Sequence, residues 1–201
     1  MQESFFVKEE SYQENPFEMF NEWFQLAKQT PEIKDPTAFA LATSQNNRPS
    51  VRIVLLKNIE NDGFTFFTNE NSHKGKDLLA NPQSEMNFYW EPLNKQIRIY
   101  GNVEVLSDEK SDEYFASRSL ESRFGACVSR QSAELESYKQ LQEEYKNYTT
   151  THANPKRPKH WHGFKIIPQE FEFWQDGKHR LHLRHKYIFN GTNWQHIFLY
   201  P

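Results

Sequence analysis

Only one cysteine, Cys127, occurs in the 201 residues. No disulfide can form within the chain, which fits a reducing compartment. Long apolar runs are missing too, and nothing approaches the roughly 20 residues a membrane-spanning helix needs. The stretch Met1 to Asn15 is acidic and lacks a basic start followed by an apolar core, so it does not read as a secretion signal. The expectation is a soluble, cytoplasmic protein. Positive charge is not in excess: the formal charge is -3 and the pI about 6.3. That balance suggests no nucleic-acid surface, although a local basic patch remains open. There is no G-x-S-x-G, no P-loop and no base motif beside Cys127. Eight histidines are present, clustered at His160 and His162 and at His179, His182 and His185. None has a recognised ligand spacing and no carboxylate cluster joins them, so no metal site is expected. Repeats and low-complexity tracts are absent.

Aromatics are plentiful at 15%, 17 of them Phe. Residues 1–14 have no clear period and read as a mobile arm; residues 15–201 read as one domain. Asn15-Pro16 opens a helix, with Asn15 as cap and Pro16 at the first helical position. Phe17, Phe20, Trp23, Phe24 and Leu26/Ala27 keep a helical apolar spacing up to Thr30-Pro31, giving a core-facing stripe. Two strands follow, Ala38 to Ser44 and Ser50 to Lys57, joined by the polar turn Gln45 to Pro49. Arg52 and Lys57 have opposite parity. They serve one ligand only if the strand bends or Lys57 lies past its end; otherwise this is a buried strand with two solvated ends. After the turn at Asn61-Asp62-Gly63 comes a strand, Phe64 to Thr68. Ser72 then caps a short helix that stops at Asn81-Pro82. Its first turn holds His73, Lys74 and Lys76, which oppose the helix dipole at about 0.3–1 kcal/mol each. Such a placement makes sense if a phosphate binds at that end.

Ser84 to Trp90 and Gln96 to Leu106 form another strand pair. The helix begun at Ser107 carries Tyr114 and Arg118 on one face, and Ser122 joins them if the helix persists. Phenol, guanidinium and hydroxyl in one stripe can wrap a phosphate, or the first two form a surface stacking pair. Gln131-Ser132 precedes a polar helix, Ala133 to Tyr148. The last strands are expected at His162 to Ile167, Phe171 to Trp174, Arg180 to Phe189 and Trp194 to Leu199. Asp176-Gly177 marks a hairpin turn. Beyond it Arg180, His182 and Arg184 share one parity, and Leu181 and Leu183 the other. The basic row is either a solvated strand face or a site for a flat anionic ligand, and Trp174 beside it favours the site. Phosphate grips, aromatic faces and few acid–base groups form the profile of a protein whose cofactor performs the difficult step.

Several separate stretches match one family in its order. They are R-I-V-L-L-K from Arg52, F-F-T-N with S-H-K from Phe66 to Lys74, Gln96, Y-F-A-S-R from Tyr114, S-R-Q-S from Ser129, and E-F-W-Q-D-G-K-H-R-L-H-L-R from Glu172. With these the chain resembles the pyridoxine/pyridoxamine 5'-phosphate oxidases from about Thr37 to its C-terminus. The resemblance implies an α+β protein, an FMN-binding split β-barrel, mostly antiparallel with flanking helices, working as a homodimer with shared active sites. FMN would be held by Arg52, Ile53, Val54, Leu55, Leu56, Lys57, Phe67, Thr68, His73, Lys74, Gln96, Gln131, Ser132, Trp174 and Arg184. Lys57, Tyr114, Arg118 and Ser122 would grip the substrate phosphate. Arg180 and His182 would flank the pyridine ring as the catalytic pair. The implied reaction oxidises C4' of pyridoxamine or pyridoxine 5'-phosphate to give pyridoxal 5'-phosphate, with O2 reduced to H2O2. The amine substrate passes through an imine whose hydrolysis releases ammonia.

Four departures from the family pattern stand out. Phe67 replaces a frequent Tyr, and Leu183 removes a carboxylate from the usual R-L-H-D-R. His73 replaces a frequent Arg, which makes that phosphate contact weaker and pH-dependent. The first arginine in the chain is Arg48, so the N-terminal arm offers Lys8 or Tyr12 where some members have a basic lid. Competing expectations are a sister flavin oxidase acting on another ring system of phenazine type, a non-catalytic flavin- or pyridoxal-phosphate-binding carrier, and a heme-binding split barrel.

Overall fold

The computed structural model describes residues 12–60 and 62–201. Helix α1 (Pro16–Gln29) begins where the Asn15 side chain accepts a hydrogen bond from the Phe17 amide at 3.0 Å. Its apolar stripe is the plug of the fold. Phe17, Phe20, Trp23, Phe24 and Ala27 are buried, while Leu26 is exposed. The Phe20 ring lies 4.7 Å from Phe64 and 5.5 Å from Phe88. Burying such a ring stabilises by about 2–3 kcal/mol, and the edge-to-face geometry adds to that.

Around this helix runs a nine-stranded antiparallel sheet. Its strands are β1 (Ala38–Gln45), β2 (Arg48–Leu55), β3 (Asn58–Glu60), β4 (Gly63–Asn69), β5 (Gln83–Trp90), β6 (Lys95–Val105), β7 (Trp161–Gln175), β8 (Leu183–Phe189) and β9 (Trp194–Phe198). The path is β2-β1-β5-β6-β7-β4-β3, with β8 also on β7 and β9 on β8. The expected five-residue turn at Gln45 to Pro49 is tighter: Gln45 pairs with Arg48. Asn46 and Asn47 between them both adopt positive φ, 51° and 59°, which asparagine tolerates and a two-residue hairpin demands. Pro49 is accommodated because β2 is an edge strand.

The two strands expected at His162 to Ile167 and Phe171 to Trp174 are one. Strand β7 continues through a register shift opposite Tyr100 and Gly101, where Gly101 faces Pro168 and Tyr100 faces Glu170. A Cβ on Gly101 would collide with the Ile167 carbonyl. The irregularity bends β7, so one edge pairs first with β4 and then with β8. That splits the barrel.

Helices α2 (His73–Ala80), α3 (Asp108–Ser117), α4 (Leu120–Val128) and α5 (Tyr138–Thr151) flank the sheet. Helix α5 starts five residues later than expected from Ala133, because Ser137 supplies the cap and accepts from the Gln140 amide at 3.1 Å. At the N-terminal side Tyr187 Oη donates to the Gln13 carbonyl at 2.9 Å, and Tyr12 stacks on His196 at 4.2 Å. The rest of the expected arm, residues 1–11, lies outside the described residues. No helix among the described residues is long and apolar enough to cross a membrane.

Candidate active site

A cleft of about 860 Å³ opens between the β2 edge, β4, the start of α2 and the α3–α4 pair. Arg52, Ile53, Val54, Leu55, Lys57, Phe67, Thr68, Lys74, Tyr114, Arg118, Ser122 and Gln131 all line it. Asn69, Ser119, Gly125, Ala126, Ser129 and Trp161, which sequence reasoning did not single out, line it as well. Four of these residues are cations and none is a carboxylate.

Each cation arrives by a different route. Strand β2 ends at Leu55, so Lys57 lies past its end and shares the cleft with Arg52 despite opposite parity. Arg52 is braced from behind. Its Nη1 donates to Thr43 Oγ1 at 2.7 Å and to the Leu41 carbonyl at 3.2 Å. Thr43 in turn donates to the buried Asp77 at 2.6 Å. Burial lowers the Arg52 pKa, and Asp77 partly offsets this.

Lys74 sits in the first turn of α2, where Ser72 caps the helix by accepting from the Gly75 amide. Gly75 is required there, since a Cβ would lie 2.6 Å from the Asn69 carbonyl oxygen and meet the Glu70 backbone. Lys74 is only 8% exposed. Its Nζ donates to Gln131 Oε1 at 2.9 Å and reaches Thr68 Oγ1 and Ser72 Oγ at 3.4 Å. It forms no ion pair among the described residues, and burial followed by the nearby Arg52 charge pulls its pKa down to about 8. A buried cation held only by neutral oxygens is costly unless an anion visits.

The stripe of Tyr114, Arg118 and Ser122 is not one helix. Helix α3 stops at Ser117, Arg118 is extended, and Ser119 caps α4 by accepting from the Ser122 amide at 3.3 Å. The break still points all three into the cleft. Arg118 Nη1 is buried with no hydrogen-bond partner among the described residues. Burial lowers the Arg118 pKa and raises that of Tyr114. Phe67 stacks on Tyr114 at 3.9 Å and on Trp161 at 5.1 Å.

The remaining sequence-derived residues lie elsewhere. Leu56 is in the core. His73 is 55% exposed in its side chain and places Nδ1 3.4 Å from Asp77. Ser132 has a φ of 70°, one residue beyond Gln131. Gln96, Trp174 and Arg184 are directly opposite one another on β6, β7 and β8. Arg184 donates to Glu172 Oε1 at 2.8 and 2.6 Å and to the Tyr200 carbonyl at 2.8 Å. The expected basic row is not a strand face. Lys178–Arg180 forms a single helical turn in which His179 and Arg180 have φ of 57° and 66°, and β8 starts only at Leu183. His182 Nδ1 lies 3.0 Å from Asp176 Oδ1 and 3.3 Å from the Gly177 amide, and its ring is 4.7 Å from Trp174.

This second group shares an outward sheet face with β2. Cross-strand partners point the same way, and Ile53 opposes Ala40, Ala40 opposes Asn87, and Asn87 opposes Arg98. From β2 to β8 the path crosses five strand spacings, about 24 Å. Within one chain Gln96, Trp174, Arg180, His182 and Arg184 do not line the cleft that holds Ile53. The β2 end of the face is apolar and open, Val51 and Ile53 being 67% and 66% exposed.

The chain is similar to known proteins. The family model described as pyridoxamine 5'-phosphate oxidase matches residues 26–175, and one described as pyridoxine 5'-phosphate oxidase C-terminal dimerisation region matches residues 161–201. A pyridoxine/pyridoxamine 5'-phosphate oxidase from Pelagibacter ubique (strain HTCC1062) is 45% identical over 192 residues, 93% of this chain and 92% of that one. The crystal structure of PhzG from Burkholderia lata 383 in complex with tetrahydrophenazine-1-carboxylic acid superposes with a TM-score of 0.90 at 28% identity, covering 95% of both chains. A pyridoxamine 5'-phosphate oxidase-related, FMN binding protein from Nostoc punctiforme PCC 73102 shares the fold, with a TM-score of 0.77 at 15% identity over 92% of this chain and 98% of that one. By its split barrel and by the extent of these matches, the chain belongs to the pyridoxamine 5'-phosphate oxidase family.

Proposed function

We propose that the protein is an FMN-dependent oxidase converting pyridoxamine and pyridoxine 5'-phosphates to pyridoxal 5'-phosphate in the cytoplasm, with active sites shared between two copies. The observation that carries this reading is the cleft itself: four cations, no carboxylate, and room for two ring systems. Its chemistry fits FMN. Arg52, Lys74, Thr68 and Gln131 would hold the cofactor phosphate, with His73 and Ser132 beside them. The Ile53 to Leu56 segment and Phe67 would border the rest. When bound, FMN supplies the two-electron acceptor that takes a hydride equivalent from C4' and passes the electrons to O2.

The protein's share is binding and orientation. Lys57, Arg118, Tyr114 and Ser122 would anchor the substrate phosphate; Arg118 lines the cleft and has no ion pair among the described residues. Gln96, Trp174, Arg180, His182 and Arg184 would come from a second copy, since none of them lines the cleft of one chain. The exposed Val51–Ile53 strip and the dimerisation description of residues 161–201 support that arrangement. Asp176 and the Gly177 amide engage Nδ1 of His182. Nε2 is then the nitrogen left to hold or accept a proton near C4'.

The test is an absorbance spectrum during FMN titration, followed by turnover of pyridoxamine 5'-phosphate under air. A yellow protein that forms pyridoxal 5'-phosphate is expected; one that takes up no FMN ends this reading. The likeness to PhzG favours a second reading, oxidation of a phenazine-type ring. Turnover of a dihydrophenazine acid with no turnover of pyridoxamine 5'-phosphate would select it.

A further inference from the structure

We propose that Trp161 is a positioning residue for Arg118, holding the guanidinium by its ring face so that the N–H edge stays free for the substrate phosphate. The inference rests on reading the cleft as the site of a phosphorylated pyridine. Arg118 Cζ lies 4.9 Å from the Trp161 ring centroid and 5.7 Å from that of Phe115. It makes no ion pair among the described residues, and its Nη1 is buried without a hydrogen-bond partner. An arginine is commonly fixed by a carboxylate, as the half-buried Arg98 is by Glu85 and Glu172 at 2.6 and 3.2 Å. A carboxylate would occupy the donor fork and neutralise the charge. An aromatic face attracts the cation through its quadrupole and consumes no donor.

Trp161 is itself referenced to the helix that delivers Arg118. Its carbonyl accepts from Arg157 Nη1 at 2.8 Å, and Arg157 Nε donates to Asp112 at 2.6 Å. The third Arg157 contact is Asp108. Both aspartates lie on α3, which ends where Arg118 begins. On the cleft side the Trp161 ring runs parallel to Tyr114, within 2°. The clamp therefore ties the Trp161 backbone to α3, and stacking on Phe67 at 5.1 Å and the edge contact with Phe115 at 5.2 Å orient the ring beside the guanidinium.

The experiment uses the full chain loaded with FMN. Trp161→Leu and Trp161→Phe are titrated with pyridoxal 5'-phosphate, followed by its absorbance, and with pyridoxal, which lacks the phosphate. Leucine should weaken pyridoxal 5'-phosphate binding about tenfold, the size of a desolvated cation–π contact, and leave pyridoxal unchanged. Phenylalanine should restore most of the loss. In an Arg118→Ala background Trp161→Leu should add nothing, and KM for pyridoxamine 5'-phosphate should rise more than kcat falls. Equal losses for both ligands, or a full loss that persists without Arg118, would overturn the proposal. Should the leucine variant fail to accumulate, Trp161→Phe decides alone: a loss of about threefold confined to the phosphorylated ligand supports it, and a loss shared with pyridoxal overturns it. If Arg118→Ala leaves pyridoxal 5'-phosphate binding intact, the phosphate grip itself is misassigned and the positioning role falls with it.

Discussion

Lys74→Met removes a buried ammonium while keeping the length of its stem, and its effects on stability and on binding should have opposite signs. The Lys74 pKa lies at about 8 instead of the usual 10.5, mainly through burial. Each unit corresponds to 1.36 kcal/mol, so keeping the group charged at pH 7 costs the ligand-free fold up to about 3 kcal/mol, less where Nζ still meets solvent. Between pH 8 and 10.5 the unfolded chain keeps a proton that the folded chain has shed. Stability of the ligand-free protein therefore rises with pH across that window and is flat in this term below it. A bound phosphate dianion favours the ammonium and raises its pKa. Binding then takes up a proton, and affinity for FMN falls as pH rises through about 8, by up to tenfold per unit. Lys74→Met should melt higher than the parent at pH 7, with the gap closing towards pH 10. It should bind FMN about 10–100-fold more weakly at pH 7, the worth of a charge-assisted hydrogen bond, and lose the alkaline decline. Thermal melts and flavin fluorescence quenching from pH 7 to 10 measure both. Parallel pH trends in parent and variant would refute the placement of Nζ against the phosphate.

Arg118→Ala should raise KM for pyridoxamine 5'-phosphate by about 10–100-fold with flavin retained, as expected for a lost charged hydrogen-bond pair; loss of flavin in a spectrum would mean that the two phosphate grips are exchanged. Gly75→Ala should lower the unfolding free energy by about 2 kcal/mol or more, read from the denaturation midpoint, because the new Cβ meets the Asn69 and Glu70 backbone rather than a movable side chain. An unchanged midpoint would remove that contact from the account. Arg118→Ala and Arg180→Ala should each be impaired alone, yet co-expressed they should recover about a quarter of parental activity, since half of a random dimer population is mixed and each mixed dimer carries one intact site. No recovery would put both residues in the site of a single chain.

Local signals were legible and long-range ones were not. Asn15, Ser72 and Ser107 each cap a helix because the decisive hydrogen bond spans two or three residues. The alternation of buried and outward residues in β1, β5 and β6 was equally plain. The expected parity of Arg180, His182 and Arg184 failed because two consecutive left-handed residues, His179 and Arg180, coil the chain before β8. No composition rule foresees positive φ at those side chains. The break between α3 and α4 could have been read from Ser119, a cap candidate immediately after Arg118. The i,i+4 spacing of His73 and Asp77 was also visible, but the role of Asp77 behind Arg52 depends on Thr43, a strand away. Trp161 reaches Phe67 only through the pairing of β4 with β7.

Cationic residues alone did not mark the cleft; Lys74 and Arg118, which have no ion pair among the described residues, did. Arg98, Glu85, Glu172 and Arg184 form a chain of ion pairs across the outward sheet face. There each guanidinium is met by at least one carboxylate, so little net charge is left over. Among the described residues Lys74 and Arg118 have no such partner, and burial lowers both their pKa values. A bound anion would offset that cost. Arg184 is thus an oriented donor whose charge Glu172 already compensates, whereas Lys74 and Arg118 offer net charge. Salt should weaken ligand binding through the latter two and leave the Arg184 contact nearly untouched. Sequence lists these four basic groups alike; the tertiary fold decides which of them are spent.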